Sequence, residues 1–160
     1  MENAQSKPMQ TSPQVEWNLP EGVEKFSEKH LYHAYRTGFS EGEEQDVKLF
    51  EKQIQDNSGK AALDTFAVTT LLEEMGITPI SAHLKIASRY AMKVLITVSN
   101  EDFVKESFID SYSKINEIQD KSRTDLYSIM FTFINRSAEF DIDLVRLDGF
   151  VSSYRPLEKK

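Results

Sequence analysis

Hydrophobic positions change their period along this chain. From Glu21 to Phe39, the residues Val23, Phe26, His30, Leu31 and Ala34 recur near helical spacing, with acids at the start, and predict a helix. Gly38 and Gly42 break or kink it. Val47, Phe50 and Ile54 share one face of a second helical segment over 43–55, and Asp56-Asn57-Ser58-Gly59 reads as its stop. Lys60–Met75, rich in Ala and Leu, is predicted as a third helix closed by Gly76. Thr78-Pro79 has the form of an N-cap followed by proline at the first helical position, so a shorter helix is expected to about Tyr90.

Beyond Tyr90 the pattern alternates between the two periods. Met92–Ser99 is a short β-branched and aliphatic run that predicts a strand. Ser99 and Asp102 form a pair resembling a capping box, ahead of a helix whose stripe is Val104, Phe108, Ser111/Tyr112, Ile115 and Ile118. Leu126–Asn135 returns to strand composition. Tyr127, Ile129, Phe131 and Phe133 line one face, Ser128, Met130, Thr132 and Ile134 the other, which suits an inner strand covered by helices on one side. Phe140, Ile142 and Leu144 alternate with Asp141 and Asp143 and favour a strand over 140–147, with a helical turn over Asp141–Leu147 as the rival reading. Asp148-Gly149 then predicts a two-residue hairpin turn into Phe150–Tyr154.

These elements argue for one α+β domain over 21–156. An N-terminal helical layer (21–90) would pack on a small βαβββ unit (92–156) ending in a C-terminal antiparallel meander. Residues 1–20 hold Pro8, Pro13 and Pro20 among polar residues and read as a flexible leader, and 157–160 as a short tail. Trp17 stands out in that leader. Its indole needs an apolar surface, either on its own domain or on another chain, which makes it the candidate partner-binding residue.

Composition narrows the function classes. The chain has 160 residues, enough to bury a core without a disulfide or metal staple, and no cysteine. Disulfides, Cys-based zinc sites, Fe–S clusters and thiol catalysis are thereby excluded, and a reducing compartment fits. No apolar run approaches the ~20 residues that span a bilayer. The start, Met1-Glu2-Asn3-Ala4, lacks the basic and apolar regions of a secretory signal, so a soluble cytoplasmic protein is expected. A net charge of -7 and the absence of any Lys/Arg cluster speak against nucleic acid and anionic membrane, and permit a basic protein partner.

Three local patterns carry candidate chemistry. Asp141-Ile142-Asp143-Leu144 resembles the Asp-x-Asp strand of the nucleotidyltransferase superfamily, which implies two carboxylates on one strand face holding Mg²⁺ for phosphoryl transfer. The Gly-Ser turn that precedes the pair in that family has no counterpart in Asn135-Arg136-Ser137-Ala138. Residues 65–90, around Met75-Gly76-Ile77, resemble a helix-turn-helix, which implies a DNA reader; Ala82 and Lys85 fall where that motif wants branched apolar residues. Ser58-Gly59-Lys60 resembles the end of a phosphate-binding loop, without its upstream glycine, and Gly59 reads as a helix terminator.

His30 and His33, three apart on a predicted helix, are candidate metal ligands, although Tyr32 and Tyr35 beside them suit a packed face equally. His83 reads as a helix-surface or boundary residue. No Gly-x-Ser-x-Gly arrangement supplies a nucleophile. The reading is therefore a non-enzymatic interaction or regulatory protein with no cofactor, its expected partner another protein.

Overall fold

The computed structural model describes residues 15–18 and 44–154. The segment 21–39, with its predicted helix and the pair His30 and His33, lies outside the described residues, as does the leader before Val15. The described part is a mixed α+β fold: an N-terminal helix packed on a central βαβββ-like sheet unit, with a C-terminal antiparallel strand region.

In chain order the elements are β1 (Trp17–Asn18), α1 (Glu44–Glu74), β2 (Pro79–Ile86), β3 (Ala91–Val98), α2 (Asn100–Phe103), α3 (Glu106–Ser122), β4 (Ser128–Asn135), α4 (Ile142–Leu147) and β5 (Ser152–Tyr154). The sheet runs β1-β5-β2-β3-β4. β2 and β3 form an antiparallel hairpin, β3 and β4 pair in parallel across α3, and β5 lies antiparallel to both β2 and β1. A parallel pair needs a long crossover, and α3 supplies it, so that α1 and α3 pack side by side over the sheet. Val68 and Leu72 of α1, Phe108 and Ile115 of α3, and Val94 and Ile96 of β3 sit at the centre of the core.

Four expectations are corrected. The two helices predicted on either side of Asp56–Gly59 are one helix of 31 residues. A glycine in a helix costs about 1 kcal/mol against alanine, and tertiary contacts offset that here. Asn57 is fully buried, and its Nδ2 donates to the carbonyls of Arg89 (2.7 Å) and Leu126 (2.8 Å). It closes both loops that lead into the sheet.

The helix expected from Thr78 to Tyr90 is strand β2. Ala82 and Leu84 face the core while Ser81 and His83 face the other way, a period of two that the Thr78-Pro79 signal obscured. Proline opens this strand, a position where its missing N–H is tolerated. Thr78 caps nothing; its N–H donates to Asp102 Oδ2 at 3.0 Å.

The strand expected over 140–147 is the short helix α4, and Asp148-Gly149 is its C-terminal cap instead of a hairpin turn. The Gly149 N–H donates to the Arg146 carbonyl (3.0 Å) and the Phe150 N–H to the Val145 carbonyl (3.2 Å). Gly149 holds φ at 99°, a conformation that residues with a Cβ rarely adopt, and this selects glycine here.

Finally, among the described residues β4 is the edge strand of the sheet, not an inner one.

Other expectations hold. Met92–Ser99 corresponds to β3, and Ser99 caps α2, its Oγ accepting the Asp102 N–H at 3.1 Å. Gly76 closes α1 with φ at 79°. Phe108, Ile115, Ile129 and Phe131 are buried in the core, with Phe133 packed against it.

Candidate functional site

β4 alternates strictly, so Ile129, Phe131 and Phe133 turn toward the helices. Met130, on the opposite sheet face, is 52% exposed. The Ser128 N–H donates to the Tyr90 carbonyl, and the Arg136 N–H to the Val98 carbonyl, so even-numbered backbone groups look toward β3. Those of Ile129, Phe131, Phe133 and Asn135 therefore look outward, because successive residues of a strand point their N–H and C=O to opposite sides. Nothing pairs with the strand on that side among the described residues.

One outward amide is covered. Gln119, near the end of α3, accepts the Phe131 N–H through Oε1 at 2.8 Å. Toward the other end, α3 lends the edge an aromatic border. Phe133 meets Phe108 and Tyr112 edge-on, with ring centroids 5.3 and 5.7 Å away. Next to them Val104, Ile109 and Tyr112 are 77, 64 and 40% exposed. Ile109, Tyr112, Asn116 and Asp120 are three or four apart on the same side of α3 as Gln119, the side toward the edge. Lys114 and Lys121 fall in the row of Ile118 on the other side, toward Ser122, which donates to Asp64 of α1 at 2.8 Å.

The residues singled out in the sequence do not converge on one place. Asp141 caps α4, its Oδ1 accepting the Asp143 N–H at 2.9 Å. Asp143 is exposed and lies 3.9 Å from Arg146. The two carboxylates do not share a strand face, because there is no strand. Among the described residues no group of three or more His, Asp or Glu side chains is placed to hold a metal. In the segment 65–90 a strand stands where the second helix of a helix-turn-helix would be.

Trp17 is engaged within its own chain, the self-packing alternative of the two considered. Its Nε1 donates to the Ser58 carbonyl at 3.0 Å, and its ring lies 5.6 Å from that of Tyr154. Burial, with Glu73 nearby, pushes the Tyr154 hydroxyl up to about 12. His83 is a buried strand residue, not a helix-surface one. It shares a hydrogen bond with Ser81 Oγ at 2.9 Å, and Ser81 shares one with Thr97 Oγ1 at 2.6 Å.

Two further polar clusters serve the framework. Tyr127 donates to Asp64 Oδ2 at 2.7 Å, and burial together with that carboxylate holds its hydroxyl well above the ordinary tyrosine range. Asp102 binds Lys105, Thr78 N–H and Ser99, and Lys105 also donates to the Gly76 carbonyl at 3.1 Å. The Lys105 hydrogen bond, then the Thr78 N–H, holds the Asp102 carboxyl below the usual carboxylate range.

No protein family, curated protein or solved structure matches this chain. Among the described residues no helix is long and apolar enough to cross a membrane. Gln119 and Ile109 carried no signal in the sequence as site residues. The only local hint was that β4 holds no charge, and that matters only once the strand is known to lie at an edge.

Proposed function

We propose that this chain is a non-enzymatic cytoplasmic protein that works by binding another polypeptide, as an adaptor, inhibitor or immunity-type partner does, and that it binds along the free edge of β4. One observation carries the reading: an eight-residue edge strand with no charged residue, no proline and, among the described residues, a single covered amide. Edges are commonly shortened, charged, bulged or covered, because a bare one recruits other strands. An edge left uncharged and bordered by exposed apolar side chains suits strand addition, in which main-chain hydrogen bonds give affinity and alternate side chains give selectivity. The absence of cysteine fits a reducing cytoplasm.

The test is site-specific photo-cross-linking in the native cell, with the probe at exposed Thr132 on β4. A discrete adduct to one polypeptide, lost when Ile109→Lys places a charge beside the edge, is the expected result. Adducts indifferent to that substitution, or matched by a probe at Leu63 on α1, would remove the edge from consideration.

A further inference from the structure

We propose that the outer face of α1 pairs with the same face of a second copy of this chain, the two helices antiparallel, with Leu63 set against Gly59 of the other copy. This face lies on the side of α1 turned away from the sheet and does not involve the β4 edge.

α1 turns Ala61, Val68 and Leu72 into the core. On the opposite side Asp56, Gly59, Leu63, Phe66, Thr70 and Glu73 follow one another at alternating steps of three and four, the spacing of a two-helix seam. Leu63 is 50% and Phe66 40% exposed, and from Gly59 to Thr70 that row carries no charge. The charges flanking it are turned aside. Lys60 lies over the Tyr127 ring, 5.6 Å from its centroid, and Asp64 accepts from Tyr127 and Ser122. The packing of this chain does not ask for glycine at position 59. A Cβ there would meet nothing within 4 Å, and glycine weakens a helix interior relative to alanine. Bare backbone in an exposed apolar row admits the close approach of a neighbouring side chain.

Exposed charge decides the occupant and its direction. Lys48 and Lys52 lie in the first half of α1, and Glu73 and Glu74 in its last turn, which holds no base. Acids at that end oppose the helix dipole. None of these four side chains makes an ion pair among the described residues. With Leu63 against Gly59, an antiparallel copy sets its Lys48 beside Glu73 and its Lys52 against Thr70, one turn from Glu74. The two-fold repeats each contact at the other end. Asp56 falls beside Ala67 of the copy, so no acid of the row faces another. A parallel copy would instead stack lysine on lysine and glutamate on glutamate. A partner helix of one sign meets repulsion at one end or the other, whereas the same helix reversed meets attraction at both. A seam one helix wide lies at the small end of interface sizes, so the dimer is a reversible one.

The experiment is sedimentation of the full chain over about a hundredfold range of concentration, for wild type, Lys48→Glu, Glu73→Lys and an equimolar mixture of the two variants. Wild type should dimerise reversibly. Each variant alone places like charges at both ends of the seam and should dimerise about tenfold more weakly, two exposed pairs being lost at once. The mixture should recover the wild-type affinity, because the new carboxylate at position 48 then meets the new ammonium at position 73 while the native pair forms at the other end. Recovery on mixing is a result that damage to the fold of either variant would not give. Leu63→Glu, at a half-exposed position, should yield a monomer with unchanged circular dichroism. A wild-type chain that stays monomeric throughout overturns the proposal, as does a dimer that the two charge variants leave intact or that mixing fails to restore. The α1 and β4 surfaces are told apart by mass: a photo-probe at Leu63 should link the chain to itself, giving twice its own mass, unlike a Thr132 adduct to another polypeptide.

Discussion

The Gln119 side chain accepts the backbone N–H of Phe131 at 2.8 Å. A helix residue thereby occupies the middle of an otherwise open sheet edge, which makes it the natural point at which to alter association without touching the core.

Replacing Gln119 by alanine frees that amide to water or to another strand. Loss of one partly exposed hydrogen bond should cost about 0.5–1.5 kcal/mol. Association at the edge, read by the yield of the Thr132 cross-link, should rise. If association stayed flat while the melt shifted as expected, Gln119 would be a structural residue only.

Asn57 should be far less replaceable than a polar residue beside a helix glycine usually is. Its amide serves two loop carbonyls from a fully buried position. Asn57→Leu leaves both without a donor, and an unsatisfied buried group costs about 1–3 kcal/mol. Denaturant unfolding should therefore show a loss of about 2–4 kcal/mol, against a gain of about 0.5–1 kcal/mol for Gly59→Ala, which lies inside α1 with nothing within 4 Å of the added methyl.

The Asp102 cluster gives the fold a pH dependence of known sign. The carboxyl is held below its ordinary value by Lys105 and by the Thr78 N–H. Its contribution is therefore present above the ordinary aspartate range and lost as pH falls through the lowered value. Asp102→Asn should flatten the acid limb of a stability–pH curve and leave the limb above neutrality unchanged in slope. An identical acid limb in wild type and variant would assign the dependence to other carboxylates.

Asp141 and Asp143 should behave differently from each other. Asp141 is a helix cap, and Asp141→Ala should cost about 0.5–2 kcal/mol. Asp143 is exposed beside Arg146, so Asp143→Asn should be nearly neutral. Added Mg²⁺ should raise the melting temperature of wild type no more than that of either variant. A Mg²⁺-dependent stabilisation abolished by both substitutions would revive a shared metal site.

What the sequence determined by itself was everything that short-range chemistry decides. The β-branched run of β3, the Ser99 cap, the stripe of α3 from Phe108 through Ser111 to Ile115, the alternating faces of β4 and the Gly76 terminator need only a residue's near neighbours, and they are present in the structure; Val104, expected to begin that stripe, lies exposed in a break between α2 and α3. Only the tertiary structure decided the rest. Asn57 and Gly59 look like a stop until two distant loop carbonyls and Trp17 engage that turn of α1. Residues 79–86 satisfy a helix start as well as a strand, and hydrogen bonding to β3 and β5 chooses the strand. Asp141 supports either a strand or a cap, and the choice falls to the cap when Val145 is buried. The candidate site was the least legible of all. β4 spells out a strand in its own residues, but whether a strand lies inside a sheet or at its edge depends on the order in which distant segments pair, and no local pattern encodes that order.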